Sequence, residues 1–163
     1  MTQQSRQLFP LWDFGWLDHS ELRLPACRES QDVVAAYLSS DRFATSFVGP
    51  NEEKAPDLHG AFWRASIGVS DFLLISKTEF YDHIQAIRQP QGFSEPASDE
   101  QWQTGERVIA AIQPRYTWIM MLRLTEESEE SFHEWGFVLT IFREFLLANP
   151  DAEHVSRLVF GYD

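Results

Sequence analysis

The residues of this chain that could do chemistry are five histidines, one cysteine and many carboxylates. Glu79 and His83 are four positions apart, so on a helix they would share one face. A carboxylate and an imidazole placed in this way can share a proton or provide two ligands for a metal ion. Zinc sites in proteins use three or four ligands, and no second pair converges on this one. The spacing therefore favours an ordinary surface pair over a metal site.

The remaining candidates lack the neighbours that their chemistry requires. Cys27 would act as a nucleophile only beside a base that lowers the pKa of its thiol, and nothing in the sequence places a base there. Asp18 and His19 form a dipeptide to which the sequence assigns no partner. His133 lies three or four positions from Glu130 and Glu129 and is interpreted, like His83, as part of an ordinary surface pair, whereas His59 and His154 have no distinguishing context.

Sequence motifs that would specify a reaction are also missing. The eight glycines never fall in the spacing of a phosphate-binding loop, GxGxxG or GxxxxGK[S/T]. The chain contains no GxSxG, HExxH or CxxC either. We therefore expect no catalytic residue, no cofactor and no bound metal ion, and we predict that the chain is not an enzyme.

The most conspicuous group of like residues is the acidic run from Glu126 to Glu130, which Glu134 follows. One or two carboxylates stabilise a helix start through the helix dipole, but like charges one turn apart repel one another. Five glutamates exceed that need, so we predict that they dock a basic partner. The alternative is a solvated helix start. The predicted partner-binding residues are Glu126, Glu127, Glu129, Glu130 and Glu134.

Overall charge and composition restrict the partners. The chain has 163 residues, and its net charge of −12 repels nucleic-acid phosphates, so we expect no nucleic-acid binding. No stretch approaches the ~18 apolar residues that span a membrane, so we expect no membrane association. A single cysteine suits a reducing compartment, and we expect a cytoplasmic protein. The 13 Phe and six Trp form either a large core or a partner-facing patch.

Capping signals and hydrophobic periodicity predict about four helices. Ser30 begins the first, while the capping boxes Ser76/Glu79 and Ser98/Gln101 begin the second and third. The fourth is predicted from Ser128 to Ala148, since its apolar residues form two adjacent stripes and leave a narrow polar strip. That strip comprises His133, Thr140 and Glu144.

Strands are predicted where apolar residues alternate or form short runs. Residues 115–124 give the strongest strand, with apolar residues on both faces, which indicates cover on both sides. Residues 154–162 form the final strand, and residues 1–24 an aromatic-rich extended arm or edge strand. Shorter extended segments are predicted at 43–48, 61–67 and 72–75.

These elements predict one globular domain over residues 1–163, of the α+β or α/β class. Its central mixed sheet would have four to six strands, about four helices and a C-terminal strand-helix-strand unit. A small, acidic chain without catalytic motifs has the profile expected of an immunity protein, which neutralises a cognate basic bacterial toxin by direct stoichiometric binding.

Two other functions fit the sequence. One is a small-ligand-binding protein or enzyme whose site is assembled from scattered residues, such as Trp63, Trp118, Glu79 and His83. The other is a structural subunit, for example a homodimer, that self-associates through the aromatic N-terminal segment.

Overall fold

The computed structural model of the chain describes residues 5–12, 15–45, 47, 57–88, 98–124, 130–131, 133 and 141–162. These residues form eight strands and three α-helices, which confirms the α+β class. In chain order the elements are β1 (Arg6–Trp12), β2 (Gly15–Arg23), α1 (Ser30–Leu38), β3 (Leu58–His59), β4 (Phe62–Trp63), β5 (Phe72–Ile75), α2 (Lys77–Arg88), α3 (Asp99–Ile112), β6 (Trp118–Leu122), β7 (Ile141–Ala148) and β8 (His154–Tyr162).

Six of the strands form one sheet in the order β1-β2-β8-β7-β6-β5, and β3 pairs with β4 in a separate two-stranded sheet. Every pairing in both sheets is antiparallel. The prediction of a mixed sheet is therefore wrong for the described strands, although the strand number lies within the predicted range. Consecutive strands such as β7 and β8 are neighbours, so no crossover helix is needed between them.

The predicted C-terminal strand-helix-strand unit is also wrong. Residues 141–148, the last part of the helix predicted over Ser128–Ala148, form β7, and Glu130 and Ser131 lie in a turn. β7 pairs with strands on both sides and is buried on both faces, apart from a half-buried Arg143. A strand covered on both faces is apolar at successive positions, and an apolar run of this kind resembles a buried helix. Residues 125–129, 132 and 134–140 lie outside the described residues.

The two helices that begin with capping boxes, α2 and α3, form where the sequence predicts them, whereas the N-cap of α1 is Glu29, without a side-chain capping bond, and not Ser30. The Ser76 backbone N–H donates to Glu79 Oε2 at 2.7 Å, and the Glu79 N–H donates to Ser76 Oγ at 3.2 Å. Ser98 and Gln101 form the same reciprocal bonds at the start of α3. These local bonds satisfy backbone donors that a helix start would otherwise leave unpaired.

The six-stranded sheet has a core on each face. On one face α1 packs with its buried Val33 and Tyr37, together with Met120 from β6 and Phe142 from β7. On the other face α2 and α3 pack, and Phe80 and Trp102 are their fully buried aromatic residues. The cover of β6 on both sides is therefore confirmed. No helix in the described part of the chain is long and apolar enough to cross a membrane.

Two predicted extended segments differ in the structure. Asp41–Ala44, at the start of the segment predicted over 43–48, is a short 3-10 helix. Only Phe62–Trp63 of the segment predicted over 61–67 is a strand, and a second 3-10 helix follows at Arg64–Ser66. Gly60 turns the chain between β3 and β4 with a φ of +57°, and the Phe142 ring lies where a side chain on Gly60 would project. This tight turn holds β3 and β4 against the sheet.

Candidate functional site

A sealed polar cluster lies between the sheet and the α1 layer. Its centre is Glu144 of β7, whose carboxylate accepts a hydrogen bond from the Tyr37 hydroxyl at 2.5 Å and one from His59 Nε2 at 2.7 Å. All three side chains are fully buried. The other ring nitrogen of His59, Nδ1, donates to the Phe43 carbonyl at 3.0 Å. His59 thus connects the Glu144 carboxylate to the backbone at Phe43.

Arg157 of β8 extends the cluster across the sheet and is itself only 2% exposed. Its Nη1 donates to the Arg42 carbonyl at 2.9 Å and to the Tyr37 hydroxyl at 3.4 Å. Its Nη2 donates to Ser20 Oγ at 3.2 Å and lies 3.7 Å from Asp18 Oδ1. The guanidinium therefore joins α1, the 3-10 helix at Asp41–Ala44 and β2 to the centre of the sheet.

The charges of the cluster compensate one another. Burial raises the pKa of the Glu144 carboxyl, but the charge and hydrogen bond of His59, with Arg157 and Tyr37, outweigh burial and bring that pKa below its ordinary value. Burial and then the Glu144 charge hold the pKa of Tyr37 well above its ordinary value. Glu144 is thus ionised and Tyr37 neutral near neutral pH. Since no member of this set is open to solvent, the cluster is suited to hold the fold together rather than to react with a substrate.

On the opposite face of the sheet, His19 lies beside a serine and a carboxylate. His19 Nε2 is 2.9 Å from Ser156 Oγ and 3.4 Å from Glu21 Oε1. A catalytic triad places its serine and its carboxylate on different ring nitrogens, whereas both lie at Nε2 here. Ser156 is also fully buried, so the arrangement does not present a nucleophile. The expectation that Asp18 and His19 lack partners is wrong, because both side chains are engaged.

The residues of the predicted scattered site do not converge. Glu79 and His83 lie on α2, which covers one face of the sheet, whereas Trp118 packs against the core on the other face, on the side of α1. Glu79 is occupied by its bond from the Ser76 backbone, which lowers the pKa of its carboxyl. Within the described ranges, no three metal-ligating side chains are grouped together.

Cys27 is also unsuited to nucleophilic chemistry. Burial, followed by the negative charge of Asp32, raises the pKa of its thiol. A nucleophilic cysteine needs the opposite shift, because the thiolate is the reactive form.

An open cavity of about 680 Å³ lies at the C-terminal end of α1, against β4 and the two 3-10 helices. Trp63 is 41% exposed, whereas Phe43 and Ile67 are buried. The cavity is lined by Leu38, Ser39, Ser40, Asp41, Phe43, Asp57, Trp63, Arg64, Ala65 and Ile67. It therefore combines an aromatic wall with three charged side chains, two of them carboxylates.

The segment that follows the acidic run supports the wall of this cavity. The Trp63 backbone N–H donates to the Ser131 carbonyl at 2.8 Å, and the His133 N–H donates to the Ala61 carbonyl at 3.0 Å. The buried His133 ring meets the Trp63 indole edge-on, with ring centroids 4.1 Å apart. The end of the acidic run at Glu130 is thereby joined to the cavity through Ser131.

Only one of the predicted partner-binding residues can be placed. Glu130 is exposed in the turn beside Ser131. The other four lie outside the described residues: Glu126, Glu127, Glu129 and Glu134. The alternative explanation, a helix start, is weakened because the chain is not helical at Glu130, Ser131 or His133.

Most arginines of the chain are already paired with acids. The pairs are Arg6–Asp18, Arg23–Glu153, Arg28–Asp151, Arg88–Asp99 and Glu106, Arg115–Glu21, Arg123–Asp71 and Arg157–Asp18. Within the described ranges, Asp41, Asp57 and Glu130 form no ion pair, and each is exposed. Uncompensated negative charge therefore lies at the cavity and beside it, as it also does elsewhere on the described surface at Glu29, Asp32, Glu79, Asp82 and Glu100.

Sequence reasoning missed both the sealed cluster and the two carboxylates of the cavity. One signal was present for the cluster: Asp18 and Ser20 alternate with residues of the other face in β2, between the apolar Trp16 and Leu22. Polar residues inside an apolar alternation indicate buried partners elsewhere in the chain. No comparable signal marks Asp41 or Asp57. Compared with protein-family models, curated proteins and solved structures, the chain matches none.

Proposed function

We propose that this chain is a non-enzymatic binding protein that neutralises a basic protein, in the manner of an immunity protein against a bacterial toxin. The observation that carries the proposal is the exposed Trp63 at the open cavity, with Asp41 and Asp57 in the cavity lining and the acidic run joined to it through Ser131. We define the cavity docking surface as Asp41, Asp57, Trp63 and Glu130.

The chemistry of this surface suits a basic protein. Tryptophan is enriched among the residues that contribute most to binding energy at protein interfaces. Carboxylates around such an anchor attract a cationic partner and accelerate its association. If the partner acts on nucleic acid, carboxylates would occupy the positions where it otherwise holds substrate phosphates.

The placement of the ionisable groups supports binding over catalysis. Glu144 and His59 are buried and bonded to each other, and the buried Arg157 is connected to them through the Tyr37 hydroxyl. The described lining of the cavity holds no histidine, lysine or cysteine beside its carboxylates, and the Ser39 and Ser40 hydroxyls donate to the Ala35 and Tyr37 carbonyls. A small ligand remains a second candidate for the same cavity, since about 680 Å³ falls within the usual size of ligand pockets.

A cell-protection assay tests the proposal. Cells that express a basic toxin encoded near the gene for this chain should survive only when the chain is co-expressed. With purified proteins, toxin activity should fall linearly with added chain and reach zero at an equimolar ratio. If no such toxin is neutralised, or if inhibition requires a large excess, the proposal is wrong.

Charge reversal then locates the surface. A variant with Glu126, Glu127, Glu129 and Glu130 changed to Lys should lose protection while it keeps its melting temperature. The matched control carries the same four reversals at exposed acids elsewhere: Glu29, Asp32, Asp82 and Glu100. Equal protection by both variants would remove the acidic run from the docking surface.

A further inference from the structure

We propose that the cavity receives one arginine side chain of the partner, whose guanidinium stacks on Trp63 and pairs with Asp41 and Asp57. This inference rests on the proposed function, because the arginine belongs to the basic protein that docks there. It goes beyond that function by naming the group that is recognised and the residues that recognise it.

The Trp63 indole is held ready for such a contact. Its backbone is fixed by the bond to the Ser131 carbonyl, and Ser66 Oγ donates to the Trp63 carbonyl at 2.8 Å. The edge-on contact with His133 supports one side of the ring, while 41% of the residue stays exposed. A fixed, partly exposed indole loses little conformational freedom when a planar cation stacks on it.

The two carboxylates are available for new bonds. The Asp57 backbone carbonyl accepts the Arg64 N–H at 2.7 Å, which places Asp57 beside the residue that follows Trp63. Asp41 begins the 3-10 helix on the other side of the cavity, two residues before the buried Phe43. Neither carboxylate has an ion pair within the described residues. Both can therefore accept hydrogen bonds from a guest without breaking existing ones.

Arginine fits this combination better than lysine. Its guanidinium is planar, stacks on an indole ring and presents several N–H donors that match carboxylates, whereas the lysine ammonium is a compact and strongly hydrated charge. Arg64 is the only cation in the cavity lining that the structure describes, and it opposes a cationic guest. The carboxylates of Asp41 and Asp57 outnumber the single guanidinium of Arg64, so the described lining of the cavity carries a net negative charge. Removal of Arg64 should therefore strengthen the interaction.

A titration followed by nuclear magnetic resonance tests the inference on the chain alone. The probe is N-acetyl-arginine amide, added to isotope-labelled protein, and the readout is the indole N–H signal that a Trp63→Phe variant identifies. We expect a saturable shift of this signal with the arginine probe. We expect a much smaller shift with the uncharged citrulline analogue, which has nearly the same shape.

Variants assign the interaction to the cavity. Asp41→Asn with Asp57→Asn should weaken probe binding by about tenfold or more, since paired charges dominate such contacts. Arg64→Ala should tighten binding. The matched control, Asp82→Asn with Glu100→Gln, removes two exposed acids from α2 and α3 and should leave binding unchanged.

Several outcomes would overturn the inference. They are equal shifts with the citrulline analogue, a saturable shift with inorganic phosphate that Arg64→Ala abolishes, and no saturable shift at all. The result is separable from the proposed function. A chain that binds the probe but protects no cell contradicts only the function, whereas a chain that protects cells but does not bind the probe contradicts only this inference.

Discussion

The sealed polar cluster and the cavity docking surface are neighbours with opposite properties. They meet at Phe43, whose ring lies 4.4 Å from the His59 ring on one side and lines the cavity on the other. Both regions combine carboxylates, an arginine and aromatic rings. In the cluster the Glu144 carboxylate is fully buried and bonded, whereas in the cavity Asp57 is exposed and forms no ion pair within the described residues.

The difference teaches that the same residue types hold the fold together when they are buried and paired, whereas exposed and unpaired ones are free to serve the recognition that we propose. The cluster also shapes the cavity. Tyr37, the Arg42 carbonyl and the Phe43 carbonyl are all bonded to cluster side chains, and this segment continues into the cavity lining. Buried bonds thus fix the position of the groups that a partner would meet.

The largest effect should come from breaking the sealed cluster. Glu144→Leu leaves His59 buried without its carboxylate partner and removes the nearby negative charge from Arg157. Removal of one member of a buried ion pair costs ~3–5 kcal/mol. We expect a loss of this size in the free energy of unfolding, measured by urea titration. Glu130→Leu, at an exposed turn position, is the control and should change stability by less than ~0.5 kcal/mol. A loss below ~1 kcal/mol for Glu144→Leu would show that the cluster does not hold the fold.

Lowering the pH should gradually reduce the free energy of unfolding through the same cluster. The pKa of Glu144 lies below its ordinary value of 4.5 in the folded chain, because His59, Arg157 and Tyr37 favour its ionised form. The resulting stability is fully present above pH 4.5 and is lost as the pH falls through the folded pKa. Urea titrations across this range should therefore show a steeper decline for the wild type than for Glu144→Gln. Parallel curves of unfolding free energy against pH would contradict the stabilising role assigned to ionised Glu144, since all other carboxylates are common to both proteins.

Local signals in the sequence predicted the positions of α2 and α3 well. The capping boxes at Ser76 and Ser98 act within four residues, so the bonds that define them can be found by inspection. β7 was mistaken for a helix because its neighbours β6 and β8 cover both edges and the two cores cover both faces. An apolar run in a sequence does not distinguish a strand that is covered on both faces from a buried helix.

The candidate site was far less predictable. Glu144 was assigned to the narrow polar strip of a predicted helix, yet its partner His59 lies 85 positions away in the chain. No spacing rule connects residues at that separation, because the fold alone brings them together. The acidic run was visible in the sequence, but its connection to Trp63 depends on the backbone bond that the Trp63 N–H donates to the Ser131 carbonyl, which only the structure shows.

A substitution in the cavity wall should affect binding more than folding. Trp63→Leu keeps an apolar side chain beside His133 but removes the flat ring, and the residue is already 41% exposed. We expect a stability loss of about 1 kcal/mol, well below the cost of truncating a fully buried aromatic residue. Protection of toxin-expressing cells should fall strongly, because a central aromatic anchor carries a large share of binding energy. Unchanged protection would exclude Trp63 from the interface.

The smallest effect on stability should come from Asp41→Asn combined with Asp57→Asn. Both carboxylates are exposed without ion pairs in the described part of the chain, in a protein of net charge −12, so they add repulsion rather than stabilising contacts. We expect the free energy of unfolding to change by less than ~0.5 kcal/mol, in the direction of greater stability.

The dependence on salt concentration is a sharper test, because the Debye length falls from ~30 Å at 0.01 M to ~8 Å at physiological ionic strength. Added sodium chloride should raise the melting temperature of the wild type more than that of the variant. A variant that melts well below the wild type at every salt concentration would show that these carboxylates belong to the fold, as Glu144 does, and not to the docking surface.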